Sequence, residues 1–196
     1  LKHPSISKSI SQKNNDGITP LLRAITTNQP DVALKLLEHP SISESINQPD
    51  NDGDTPLIAA IKQGQTGIAI ALIQHDKIDV NQAEKKDGLT PLHGAIYEKQ
   101  TDIALELLKR DDIGPSINQP SKNGYTPLFH AIANKQTDIV VKLLEHPSIS
   151  DSINQADKHG VTPLFGAIDQ NQTDIACELI KHPSISDSIN QPNNEN

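Results

Sequence analysis

Eight histidines, one cysteine and 25 acidic side chains are the groups in this 196-residue chain that could bind a metal or perform nucleophilic or acid–base chemistry. His3, His39, His146 and His182 each precede a proline, and His75 stands at the matching place before Asp76. Copies carried by neighbouring packed helices would lie roughly 8–10 Å apart. Zinc draws its ligand nitrogens to about 2 Å, so one ion would not bridge two of these rings. The row reads as structural, with a histidine at a helix C-terminus favoured by the helix dipole. Cys177 aligns with Leu34, Ile70, Leu105 and Val141 and has no identifiable base. That position predicts a small packed hydrophobe, not a nucleophile. Asp16, Asp50, Asp52 and Asp54 fall in turn-rich stretches without the distal glutamate of a calcium loop. The serines of the links between helices read as turn residues that bond their own backbone. No H-E-x-x-H, G-x-x-x-x-G-K-[ST] or G-x-S-x-G motif occurs. The expectation is a protein without catalytic residues, cofactor or metal.

The elements that carry these residues follow from composition and periodicity. A net charge of −8 argues against nucleic acid as a partner, because such binders present a basic face. No apolar run approaches the ~18 residues that would cross a bilayer, and none of the chain is expected to insert. With 25 isoleucines, 18 leucines, no tryptophan and no methionine, the core must be aliphatic. Thr-Pro recurs at Thr19-Pro20, Thr55-Pro56, Thr90-Pro91, Thr126-Pro127 and Thr162-Pro163, at intervals of 36, 35, 36 and 36 residues. Gly17, Gly53, Gly88, Gly124 and Gly160 precede these pairs by two. The repeats run approximately over 14–49, 50–84, 85–120, 121–156 and 157–192 of a single array, 1–196. The opening LKHPSIS matches segments inside later units, so partial units are expected at both ends.

Each unit reads as two short helices. Thr-Pro-Leu-x-x-Ala-Ile opens the first, with threonine as cap and proline in the first turn. Thr-Asp-Ile-Ala-x-x-Leu-Leu, as at Thr101–Leu108, opens the second. There Thr101 is the expected cap and Asp102 favours the helix dipole. Leu107 and Leu143 should be buried in second helices of neighbouring units. Proline after the histidine ends the second helix, and the polar stretch to the next glycine suits a hairpin-like loop. Helices this short are marginal alone, so the units must stack to share a core.

The pattern D-G-x-T-P-L-x-x-A-I…D-I-A-x-x-L-L…N resembles the ankyrin repeat, five times over. The resemblance implies an all-α solenoid of stacked helix-turn-helix units with hairpin loops. The family's T-P-L-H survives once, as Thr90–His93, and its Gly-His between helices is replaced by pairs such as Lys99-Gln100. The glutamine is expected to take over the histidine's hydrogen bonds. The units also exceed the family's usual ~33 residues through a link, H-P-S-I-S-x-S-I-N. Ile42/Ile46, Ile149/Ile153 and Ile185/Ile189 lie four apart there, predicting an extra helical or 3₁₀ turn that seals the core. Arrays with such links resemble those of secreted effectors of intracellular bacteria.

The resemblance implies protein recognition through the concave face, built from hairpin tips and first helices. Both tyrosines fall in its variable slots, in adjacent units, and tyrosine is enriched at binding hot spots. The expected partner-binding residues are Leu89, Tyr97, Tyr125, His130 and Val161. Lys85-Lys86 and Lys158-His159 would steer an acidic partner segment toward the later hairpins. Two alternatives stand beside this: the targeting arm of a larger effector enzyme, and a structural repeat whose ends stack. The expected setting is intracellular, in the cytoplasm or, for an effector, the host cytoplasm. The expected state is a monomer, with end-to-end stacking as the other possibility.

Overall fold

The computed structural model describes residues 9–187. It contains five pairs of antiparallel helices: α1 (Pro20–Thr26) with α2 (Pro30–Leu37), α3 (Pro56–Lys62) with α4 (Thr66–Ile73), and α5 (Pro91–Tyr97) with α6 (Thr101–Leu108). After the short helix α7 (Gly114–Asn118) come α8 (Pro127–Ala133) with α9 (Thr137–Leu144), and α10 (Pro163–Asp169) with α11 (Thr173–Lys181). First helices pack on first helices and second helices on second helices, making two parallel layers. The described residues contain no strand.

Each first helix starts as its threonine dictates. The hydroxyls of Thr19, Thr55, Thr90, Thr126 and Thr162 accept from the third backbone amide onward, at 3.2–3.4 Å. The second helices start differently from expectation. Thr101 is already inside α6, and the cap residue is Gln100, which makes no side-chain capping bond. Its amide is used elsewhere. Gln65, Gln100, Gln136 and Gln172 donate from Nε2 to the carbonyls of Ile25, Ile61, Ile96 and Ile132, one unit back, at 2.7–2.9 Å. The expected hydrogen-bonding role of glutamine is thus an inter-unit joint. Asn47, Asn81, Asn118 and Asn154 reach the other way, donating from Nδ2 to carbonyls of Lys77, Asp112, Ser148 and Ser184 in the next link.

Between the paired helices the chain passes through a left-handed residue: Asn28, Gly64, Lys99, Lys135 or Asn171, at φ between +54° and +65°. Leu107 and Leu143 are fully buried, on α6 and α9. The links form the expected turns, 3₁₀ at Pro40–Glu44, Pro147–Asp151 and Pro183–Asp187. Ile42, Ile46, Ile149, Ile153 and Ile185 are buried beneath them, and Ile189 lies outside the described residues. In the second unit, which lacks this turn, Ile78 and Val80 fill the same edge.

The histidine row is built into the links by its own hydrogen bonds. At His39 and His146 the backbone turns extended, near φ −81° and ψ 132°. Nδ1 of His39, His146 and His182 accepts from the amide of Ser41, Ser148 and Ser184, capping the 3₁₀ turn that follows. His75 does the same for Lys77. His3 lies outside the described residues. Cys177 is exposed, not packed; its column lies at the edge of the second-helix layer, where Ile70, Leu105 and Val141 are half-buried and Leu34 is exposed as well.

Candidate functional site: a cleft across the second, third and fourth units

Each hairpin is closed by the side chain at its base. Asp50 Oδ1 accepts from the amides of Asp52 and Asp54, and Asp157 Oδ1 from those of His159 and Val161. The third hairpin is one residue longer, closing from Glu84 to Leu89. Glutamate supplies the additional methylene needed to span it, accepting from the amides of Lys86, Asp87 and Leu89. Burial pushes the Glu84 carboxyl up, but those three amides and the Lys62 ammonium outweigh it, leaving it below the usual carboxylate range.

This lengthened hairpin leans over α3 and α5 and, with the Ser121–Tyr125 hairpin and α8, encloses a cleft of about 480 Å³. Ile58, Ile61 and Pro91 make its apolar floor, and Leu89, Tyr97, Tyr125 and His130 line it. Four of the five expected binding residues are therefore brought together. Val161 is not among them. It lies one unit on, half-buried beside Gly166, where an added Cβ would sit 3.8 Å from its methyl. Tyr97 is 60% exposed. Tyr125 does not occupy an exposed slot: it is half-buried and stacks on Phe129, with ring centres 4.8 Å apart and planes 14° from parallel.

His93 organises the wall. It is fully buried, and the Thr90 amide donates to its Nδ1 at 3.3 Å. Its Nε2 lies 3.1 Å from the carbonyl of Tyr125, which only accepts, so the proton sits on Nε2. Burial, then the neighbouring His130, lowers its pKa to about 3, against the opposing pull of the Tyr125 carbonyl. The ring is neutral and pins the fourth hairpin to α5. His130 stands edge-on to three rings, 5.5 Å from His93, 6.2 Å from Tyr97 and 5.5 Å from Tyr125. Burial also lowers its pKa.

The lysines at the hairpins serve as braces. Lys85 Nζ donates to the Asn51 carbonyl, Lys122 Nζ to the Lys85 carbonyl, and Lys158 Nζ to Asn123 Oδ1. Lys62 is held by both oxygens of Asp54, at 2.7 and 2.9 Å. The sequence reading missed the floor residues and the cleft carboxylates of Asp87 and Glu98. The one available signal was the longer third hairpin with glutamate at its base. Among the described residues no group of three or more His, Cys, Asp or Glu could hold a metal, and no helix is long and apolar enough to cross a membrane.

The comparisons fit this architecture. The family model described as "Ankyrin repeats (3 copies)" matches residues 41–119 and 112–192. The chain belongs to the ankyrin repeat family, and its fold is that family's all-α solenoid. An ankyrin repeat domain from Acinetobacter baumannii is similar at 28% identity, with a TM-score of 0.72 over 87% of this chain and 84% of that one. The ankyrin repeat domain of Bcl-3, a member of the IkappaB protein family, shares the fold at 24% identity. It aligns with a TM-score of 0.69 over 89% of this chain and 74% of that one. No curated protein matches the chain significantly.

Proposed function

We propose that this chain is a non-catalytic recognition module that holds an extended segment of a protein partner in the cleft on its concave face. Ankyrin arrays are generally protein–protein interaction modules. The observation that carries the assignment to this site is the convergence of Leu89, Tyr97, Tyr125 and His130 on one cleft with an exposed tyrosine at its rim. Val161 extends the same surface toward the fifth unit. An aromatic ring of this kind contributes contact area at low entropy cost. Tyr97→Ala is the clean test, because Tyr125 also packs on Phe129. With a partner captured from lysate, calorimetry should show Tyr97→Ala losing about 1 kcal/mol or more of binding, with its melting temperature unchanged. Undiminished affinity in Tyr97→Ala and in the Tyr97→Ala/Tyr125→Ala pair would remove this surface from consideration.

A second reading, end-to-end stacking, is favoured by the last unit. Ile168 on α10 is 58% exposed, whereas Ile25, Ile61, Ile96 and Ile132 at the same position are at most 2% exposed. Phe165 and Ile180 of the same unit are exposed as well, and Val32 is exposed on the first unit. Sedimentation velocity over a concentration series should show association that Ile168→Lys abolishes. A single monomeric species at all concentrations would refute stacking.

A further inference from the structure

We infer that the partner residue seated in the cleft is a basic side chain, an arginine, with its guanidinium against the Tyr97 ring and Glu98 and Asp87 as its counter-charges. This rests on the reading that the cleft is the binding site, and it adds the chemistry of what enters.

The charges around the cleft divide into those already used and those still open. Lys62 is neutralised by Asp54, which grips it through both oxygens. Glu84 is spent on three backbone amides of its own hairpin. Asp87 and Glu98 line the same cleft with no hydrogen bond or ion pair on their carboxylates among the described residues. Lys86 is the one cation there without such a partner, so the open balance is negative, as is the chain as a whole at −8. An acidic partner side chain would meet two like charges. An aliphatic one would strip water from both carboxylates and return no hydrogen bond, a desolvation that burial penalises. A cation answers both.

The aromatic wall points the same way. The face of a tyrosine ring is the negative end of its quadrupole and attracts a cation. Tyr97 offers the most exposed ring of the wall, backed edge-on by His130, which burial keeps neutral and which therefore adds no repulsion. Guanidinium suits this setting better than ammonium. It is planar enough to lie on a ring while its fork reaches a carboxylate, and it gives up water more readily. Of the hairpin lysines, Lys85, Lys122 and Lys158 are turned to neighbouring hairpins, and Lys86, the one left open in the cleft, is outnumbered by Asp87 and Glu98.

The chain has two tyrosines and no tryptophan, and both tyrosines line the cleft, so tyrosine ring resonances report on it directly. The test titrates the full chain with N-acetyl-arginine methylamide, and in parallel with its neutral isostere N-acetyl-citrulline methylamide and with N-acetyl-glutamate methylamide. The arginine probe should shift the Tyr97 ring signals saturably, with the citrulline probe about fivefold weaker. Glu98→Gln should weaken the arginine probe about threefold without altering the melting temperature. Equal binding by the citrulline probe, or stronger binding by the glutamate probe, would overturn the charge assignment while leaving the cleft as the site. No shift with the arginine probe would also overturn it. The cleft itself fails separately, if a captured partner binds Tyr97→Ala with undiminished affinity.

Discussion

His93 stands where other units carry Leu22, Ile58, Phe129 or Phe165, and it does what none of those can. Its ring accepts from Thr90 on one side and donates to the Tyr125 carbonyl on the other, joining the third and fourth units through a fully buried polar group. A buried polar group is costly unless satisfied, and this one is satisfied only while neutral at Nδ1. The consequence for acid stability has a definite sign. In the folded protein the His93 ring takes no proton until about pH 3, whereas in the unfolded chain it takes one at the ordinary histidine value, about 6.5. The stability contributed by the neutral ring is complete above about pH 6.5 and is lost as pH falls toward 3. At ~1.4 kcal/mol per unit the loss amounts to a few kcal/mol. Urea melts of the parent should show stability falling through that window, and His93→Leu should flatten the fall while lowering stability at pH 7 by about 1 kcal/mol for the lost bond. Parallel profiles for the two proteins would show that the ring does not govern the acid transition.

At the scale of elements, the helix pairs are legible in the sequence because their ends are written in residues with one conformational meaning. Thr-Pro fixes each first helix by a cap and a locked φ. The turn after it is legible too, and so is its strain, since a residue other than glycine there costs about a few tenths of a kcal/mol. Lys99 and Lys135 hold φ of +54° and +58°, where a Cβ crowds the backbone and glycine is at ease. Lys135→Gly should stabilise the protein by several tenths of a kcal/mol, and Gly64→Ala should cost about 1 kcal/mol. Gly64 has open space where a Cβ would go, so its cost would be conformational alone. Thermal melts that move in the opposite directions would contradict the left-handed assignment. The second-helix caps were not legible, because glutamine at the cap position is committed to a carbonyl one unit away. Cys177 was misread for a related reason. Alignment with Leu34, Ile70, Leu105 and Val141 says which residues share a column, but which side of a layer that column faces depends on packing. The cleft was half legible. The variable slots point to Tyr97 and Tyr125, while the enclosure comes from one additional hairpin residue whose reach only Glu84 makes possible.

Across the whole molecule every joint is between neighbours, and the interior units have two neighbours where the terminal ones have less cover. Stability in such an array is close to a sum of unit and nearest-neighbour contributions. Hydrogen exchange should therefore be slowest over residues 90–144 and faster toward both ends, where Val32 and Ile168 lack the cover of their interior equivalents. Uniform protection along the chain would show that something else covers the ends. The glutamine joint has a further consequence for how such a gene can change. Because each joint pairs one side chain with a main-chain carbonyl of the preceding unit, it is indifferent to which unit precedes it. An in-frame duplication or loss of one unit, about 108 nucleotides at the 36-residue spacing of the Thr-Pro pairs, leaves every remaining joint with a partner. Gain or loss of a unit thus lengthens or shortens the array while keeping its glutamine joints. The cleft would travel with the single stretch of DNA that encodes the long hairpin and the two tyrosines that follow it.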